Sequence, residues 1–306
     1  MQTSSRFSRG YLIALIATVL WSFTGILISH LNKTYSLPSL VLAFWRDLFV
    51  SFGMAIGLLV LSRTRFHLGR VHWGFMILYG LTLAIFNSTW TFSVQFNGAA
   101  VATVMGFSSP AMTAILSRIL FKEQLSLVKV ISILMSLAGV VLISGAYDLS
   151  VWNLNAAGII FGLLSGLLFA IYNLEGRSAS DKSIDSWTAL LYSFACATIF
   201  LLIFNLGINS FAGKAPLADL LWLGNSLSGW SILFFLGVAP SLGGFGLYTL
   251  SLRYLPTTVA SLIATLEPAF TAIWAYVLLN EVLAGMQIFG GLLVVMGVIL
   301  LRFEQK

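Results

Sequence analysis

Charged side chains are scarce in this sequence. Lysine and arginine number 16 and the acids 10 among 306 residues, 8% of the chain, where an ordinary soluble domain carries about a quarter. So few charges cannot clothe a water-exposed surface, and no stretch has a soluble composition. With 59% hydrophobic residues, the chain reads as an integral membrane protein with lipid around it. The net charge of +6 does not imply nucleic acid, because the basic residues stand singly between apolar runs. Cysteine is nearly absent: Cys196 alone excludes an internal disulfide. Histidine is almost as rare. His30, His67 and His72 all fall at span ends or loops in the first quarter of the chain. No HExxH, paired-aspartate or GxSxG motif accompanies them, so zinc and serine–histidine catalysis have nothing to work with. The run GGFG at 243–246 is no nucleotide loop, since neither the strand nor the helix that GxGxxG requires flanks it. No cofactor is expected, and transport driven by ATP is excluded.

What the chain has is apolar length. Crossing the hydrocarbon takes about 20 apolar residues, and ten windows qualify: 11–31, 38–61, 73–93, 98–121, 127–145, 156–175, 186–206, 230–252, 256–279 and 285–302. The longest connection, 207–229, is amphipathic and is expected along an interface. Lysine and arginine set the orientation. Arg6, Arg9, Arg63, Arg65, Arg70, Arg118, Lys122, Lys129, Arg177, Lys182, Arg253, Arg302 and Lys306 share one side, and only Lys33 and Lys214 the other. Both termini are therefore expected in the cytoplasm, in a plasma (inner) membrane.

Residues 99–142 align without a gap on 257–300, with 14 of 44 pairs identical. Chance explains paired leucines in apolar helices, but not the pairs Pro110/Pro268, Glu123/Glu281 and Gly139/Gly297. The starts of the halves match too, GYLIALIATVLWS from Gly10 against GIIFGLLSGLLFA from Gly158, which sets Trp21 against Phe169. Five spans per half is an odd number, so the second copy enters the bilayer from the other side. This predicts an all-α fold of ten transmembrane helices as two inverted repeats, 1–150 and 151–306, with a site at the midplane between them. The doubled pattern of SSPAMTAILSRILFKEQL and LEPAFTAIWAYVLLNEVL, each followed by a Gly-rich span closing on GVVLIS or GVILLR, resembles the EamA-type branch of the drug/metabolite transporter superfamily. The resemblance implies a secondary transporter of small metabolites and favours export of amino acids or related solutes. A channel-like permease for sugars or nucleosides is the alternative, and a membrane-embedded enzyme a remote third.

The residues FWRDLF at 44–49 place Arg46 and Asp47 deep in the second span, where each charge costs at least about 2.5–3.5 kcal/mol unless partnered or wet. Helix neighbours point about 100° apart, so separate partners are expected. Glu267 is the other charge well inside a span. An Arg46–Glu267 pair would lock the halves together; alternatively Arg46 lines a cavity and attracts a substrate carboxylate or phosphate. Asp47 is a candidate proton carrier. Pro110 and Pro268 are expected to kink their helices at a cavity, with Ser108 and Ser109 satisfying freed carbonyls or meeting substrate. Trp21, Thr24, Asn87, Trp90, Tyr172, Asn173 and Tyr248 lie at similar depth and are candidates for contact with an amphipathic solute. Glycines at 53 and 57, at 158, 162 and 166, and at 290, 291 and 297 are spaced for close helix approach, within one chain first and in a homodimer second.

Overall fold

The computed structural model describes residues 2–61, 72–148, 155–212, 217, 219–279 and 284–304. Arg63, Arg65, His67, Arg70, Lys214, Glu281, Lys306 and the expected repeat junction at 150/151 lie outside the described residues. Within them the chain is helical, with no strand. The helices are α1 (Gln2–Tyr35), α2 (Ser39–Leu61), α3 (Trp73–Gly106), α4 (Ser109–Phe121), α5 (Leu127–Ile143), α6 (Ala156–Asp181), α7 (Ser186–Phe211), α8 (Leu227–Leu236), α9 (Leu242–Ser251), α10 (Thr257–Ala264), α11 (Glu267–Leu279) and α12 (Gly285–Glu304). Seven segments among the described residues are long and apolar enough to cross a membrane, and α5 and α12 are shorter apolar helices. Their starts carry the side chains that cap helices: Ser126, Asn155, Asp185 and Ser226 accept the first free N–H groups of α5, α6, α7 and α8.

The third and fourth spans appear as one 34-residue helix, α3, yet it is not straight. A Cβ built on Gly162 would stand 2.6 Å from Met105 Cβ and 2.7 Å from Ser93 Oγ. In a straight helix those two residues would lie about 18 Å apart. The chain therefore doubles back between Ser93 and Met105, giving two antiparallel limbs, and the second limb continues through α4.

Two interruptions are related by the repeat. Residues 107–108 separate α3 from α4, and 265–266, which are 158 positions on, separate α10 from α11. Sequence reasoning placed Pro110 and Pro268 as kinks inside continuous helices. Instead each stands second in a new helix, where a missing N–H costs nothing. The helix has already ended, and Ser108 Oγ and Thr265 Oγ1 donate to the released carbonyls of Met105 and Leu262, each at 2.6 Å. Pro240 is accommodated by a π-helical turn, Gly237–Ser241, that joins α8 to α9.

The halves interlock. Helix α1 packs on α9, α10 and α11, while its repeat mate α6 packs on α3 and α4, the mates of those helices. Helices α5 and α12 pack against each other through glycine. A Cβ on Gly139 would stand 2.6 Å from the Gly290 carbonyl oxygen, and one on Gly297 would stand 3.0 Å from the Ser132 carbonyl oxygen. Since 132/290 and 139/297 are repeat mates, these are one contact made twice, as a two-fold axis requires. The small-residue spacing on α6 serves the same end: Gly162 meets Met105 and Ser93, and Gly166 meets Ser108.

The connection after α7, where it is described, is held to the bundle. Residues 219–225 form turns laid over α1 and α2, with Trp45 Nε1 donating to the Leu220 carbonyl at 2.7 Å and Trp222 Nε1 to that of Tyr35 at 2.9 Å.

Candidate functional site

Following the chain, α1 starts on one face of the bundle and ends on the other. On the far face a cleft opens between α1, α2 and the first limb of α3. Its walls are Ile28 and Asn32, Ser39, Leu42, Ala43 and Arg46, and Asn87, Trp90, Thr91 and Val94, and its volume is about 30 Å³. That is room for water, and a solute needs the walls to part further.

At its floor Arg46 and Asp47 are partners of each other: Arg46 Nε donates to Asp47 Oδ1 at 3.1 Å. The expectation of separate partners fails because an arginine stem is long enough to curl back to its neighbour's carboxylate. Asn87 Nδ2 donates to Asp47 Oδ2 at 2.8 Å, so Asp47, fully buried, has both oxygens engaged. Arg46 is only 8% exposed. Its terminal Nη2 is buried with no hydrogen-bond partner, a costly state for a charged donor. Asn32 Oδ1 is likewise buried and unpartnered. Arg46 thus holds a cationic donor and Asn32 a neutral acceptor beside the cleft, both shut off from water as the walls stand.

Trp21, Tyr172 and Tyr248 belong instead to a packed aromatic cluster. Trp21 meets Phe245 at 4.8 Å and Tyr248 at 4.9 Å between ring centroids, and Tyr172 meets Tyr79 at 4.7 Å. The GGFG run makes room for it, since any Cβ on Gly244 would overlap the Trp21 ring and one on Gly246 the ring of Trp187. Asn173 ties four helices together at the centre: it accepts from the Tyr248 hydroxyl at 3.0 Å and donates towards Thr113 and Ser261 at 3.4 Å each. Thr24 Oγ1 is buried without a partner. Ser109 is buried as the first residue of α4. Glu267, half-buried, opens α11; no described residue forms an ion pair with it, so the Arg46–Glu267 lock is absent.

The near face is closed. Glu123, at the end of α4, accepts from the Thr257 N–H and the Thr258 hydroxyl at 3.0 Å each, capping α10 of the other half. Arg9 lies over the Tyr254 ring at 5.5 Å, and Arg253 stands 3.9 Å from Asp185. A Cβ on Gly176 would sit 2.7 Å from Leu252 Cδ1. By the repeat, Gly176 and Leu252 are the counterparts of Ile28 and Val94, which line the open cleft. The same pair of positions is in contact on one face and lines the cleft on the other.

Sequence reasoning missed Ile28, Asn32, Ser39, Leu42, Ala43, Thr91 and Val94 as lining, and it missed Glu175. A 20-residue window ends the sixth span at Glu175, but α6 runs on to Asp181 and leaves this carboxylate inside, 8% exposed. The signal available was the polar run NLEGRSASD, which keeps helical residues to its end.

Comparison with known proteins agrees with this architecture. The model of the EamA-like transporter family matches residues 8–145 and again residues 156–303. An uncharacterized transporter of Archaeoglobus fulgidus is 25% identical over 224 residues, 72% of this chain and 74% of that one. The threonine/homoserine exporter RhtA of Salmonella typhimurium is 27% identical over 217 residues, 70% of this chain and 65% of that one. A crystal structure of another protein superposes with a TM-score of 0.79 over 97% of this chain and 98% of that chain at 16% identity, a likeness of fold.

Proposed function

We propose that this chain, which belongs to the EamA-like transporter family, exports small amino acids by alternating access between two inverted repeats, 1–150 and 151–306. Family membership makes it a multi-pass membrane transporter and not an enzyme. The observation that carries the substrate class is Arg46: a buried guanidinium with an unpartnered terminal nitrogen, fixed by Asp47 in the wall of the cleft. Such a group selects a carboxylate, with charge-assisted hydrogen bonds worth about 1.5–3 kcal/mol. Asn32 Oδ1 supplies an acceptor for an ammonium group. Trp90, Ile28 and Val94 offer contact to an aliphatic side chain. The name of the Salmonella relative, an exporter of threonine and homoserine, supports this reading.

The charge asymmetry of the loops supports cytoplasmic termini; in an inner membrane the cleft then faces outward and the Glu123 seal inward. One chain lines the whole cleft, and a monomer suffices. Asp47 acts by positioning Arg46. Asn87 steadies Asp47, while Trp21, Tyr172, Asn173 and Tyr248 form the packed core that the substrate passes when the cavity changes sides, with Thr24, Ser109 and Glu267 beside the broken helices.

The test is counterflow in proteoliposomes of purified protein. Unlabelled threonine inside should accelerate entry of labelled threonine, and threonine methyl ester, which lacks the carboxylate charge, should compete poorly. No acceleration by any small amino acid, or equal competition by the ester, would overturn the assignment.

A further inference from the structure

Glu175 has no part in the cleft, yet it is the most unusual charge in the second half. It lies about 9 Å inside α6 from Asp181 and is 8% exposed. Thr82 Oγ1 donates to its Oε1 at 3.2 Å, and its Oε2 is buried with no partner. No described cation pairs with it. Arg177 on the same helix turns away, to Asp181 Oδ1 at 3.2 Å and the Leu252 carbonyl at 3.2 Å. From α3 it is faced by Tyr79, whose hydroxyl lies beside Gly176. Tyr172 on its own helix and Tyr248 on α9 stand behind Tyr79. The other charged groups of that face are engaged elsewhere: Glu123 on α10, Arg9 over Tyr254, Asp185 on the start of α7 and near Arg253, and Lys182 over the Phe75 ring. Spans 4, 7 and 9 turn no other described charge toward it.

A carboxylate in a dry pocket without a cation is far costlier than the neutral acid. What keeps this pocket dry is Leu252 seated on Gly176, the contact whose counterpart on the other face is open. If that contact parts, as the repeat requires, water reaches Glu175 and the ionised form is tolerated.

We propose that Glu175 is the proton-binding residue of the transport cycle: a proton from water adds to Oε2 before the near face closes, and leaves Oε2 for water when Leu252 lifts from Gly176. The buried side chains of Tyr79 and Tyr172, with ring centroids 4.7 Å apart, lead from this carboxylate towards the aromatic cluster under the cleft. This rests on alternating access as proposed above, but not on the identity of the substrate. Acid should therefore favour the state seen here, with the near face shut and the cleft open, and alkali should favour the opposite state.

The test uses full-length protein with Cys196→Ala and spin labels at Ile28→Cys and Val94→Cys in nanodiscs, with no substrate present. Between pH 5.5 and 8.5 the long inter-label distance should give way to a shorter one, and in Glu175→Gln the long distance should persist at both pH values. In proteoliposomes, wild-type counterflow should change several-fold with the pH on the near side, and Glu175→Gln should be slow and indifferent to that pH. Because the distance measurement needs no substrate, a wrong substrate class silences transport and leaves the label response intact. A wild-type distance insensitive to pH, or a Glu175→Gln protein that follows pH as the wild type does, would overturn the proposal.

Discussion

Replacing Arg46 by glutamine should remove threonine binding almost entirely. The lost charge-assisted contact, about 1.5–3 kcal/mol, corresponds to roughly 10- to 150-fold in Kd. The same change should destabilise the protein, because Asp47 keeps only the Asn87 amide as partner and becomes a buried charge without its counter-ion. Breaking such a pair from one side typically costs about 3–5 kcal/mol. The two effects separate in the double variant Arg46→Gln with Asp47→Asn. Removing both charges should restore most of the thermal stability, while binding stays absent. Lysine at position 46 should retain charge but lose the forked geometry and bind weakly. Thermal unfolding read alongside isothermal binding decides this. If the double variant regains affinity together with stability, Arg46 holds the fold and not the substrate.

Gly139→Leu should cost most of the folded yield. A Cβ at this position would stand 2.6 Å from a main-chain oxygen of Gly290, and main chain cannot rotate aside as a side chain does. Helices α5 and α12 would have to separate, at the upper end of or beyond the roughly 1–3 kcal/mol typical of overpacking. Gly290→Leu should behave alike, since its Cβ would stand 2.7 Å from the Gly139 carbonyl oxygen. Gly57→Leu, with nothing within 4 Å of its Cβ position, should leave yield and unfolding temperature near wild type although it shares the same small-residue spacing. Size-exclusion profiles and unfolding curves of the three variants check this. Equal tolerance at all three sites would mean that α5 and α12 do not meet through glycine.

The bundle itself was legible because the bilayer sets a length scale that apolar runs must match, and because the 158-residue offset marks spans that share an environment by symmetry. Arg46 and Asn87 were legible as candidates because polar groups at that depth need a reason, and both line the cleft. Other features depend on packing. Whether Trp21 lines a cavity or fills a core is decided by Gly244 beside it, and composition treats both cases alike. Pro110 and Pro268 read as kinks, since a sequence shows the missing N–H but not that the helix has already stopped two residues earlier. Ile28, Asn32 and Ser39 sit near span ends, where polar and apolar residues alike pass for boundary. Glu175 fell on a window edge, and only the extra turns of α6 put it inside.

The account stands on one asymmetry: repeat counterparts are in contact at Gly176 and Leu252 and line the cleft at Ile28 and Val94. Paired cysteines test it directly in a Cys196→Ala background, with mild oxidation during threonine counterflow. Gly176→Cys with Leu252→Cys should cross-link readily at rest, and Ile28→Cys with Val94→Cys only when the cycle runs; either bond should stop counterflow, and reduction should restore it. A protein that cross-links at both pairs in the same molecule and still transports would contradict the exchange of open and closed faces.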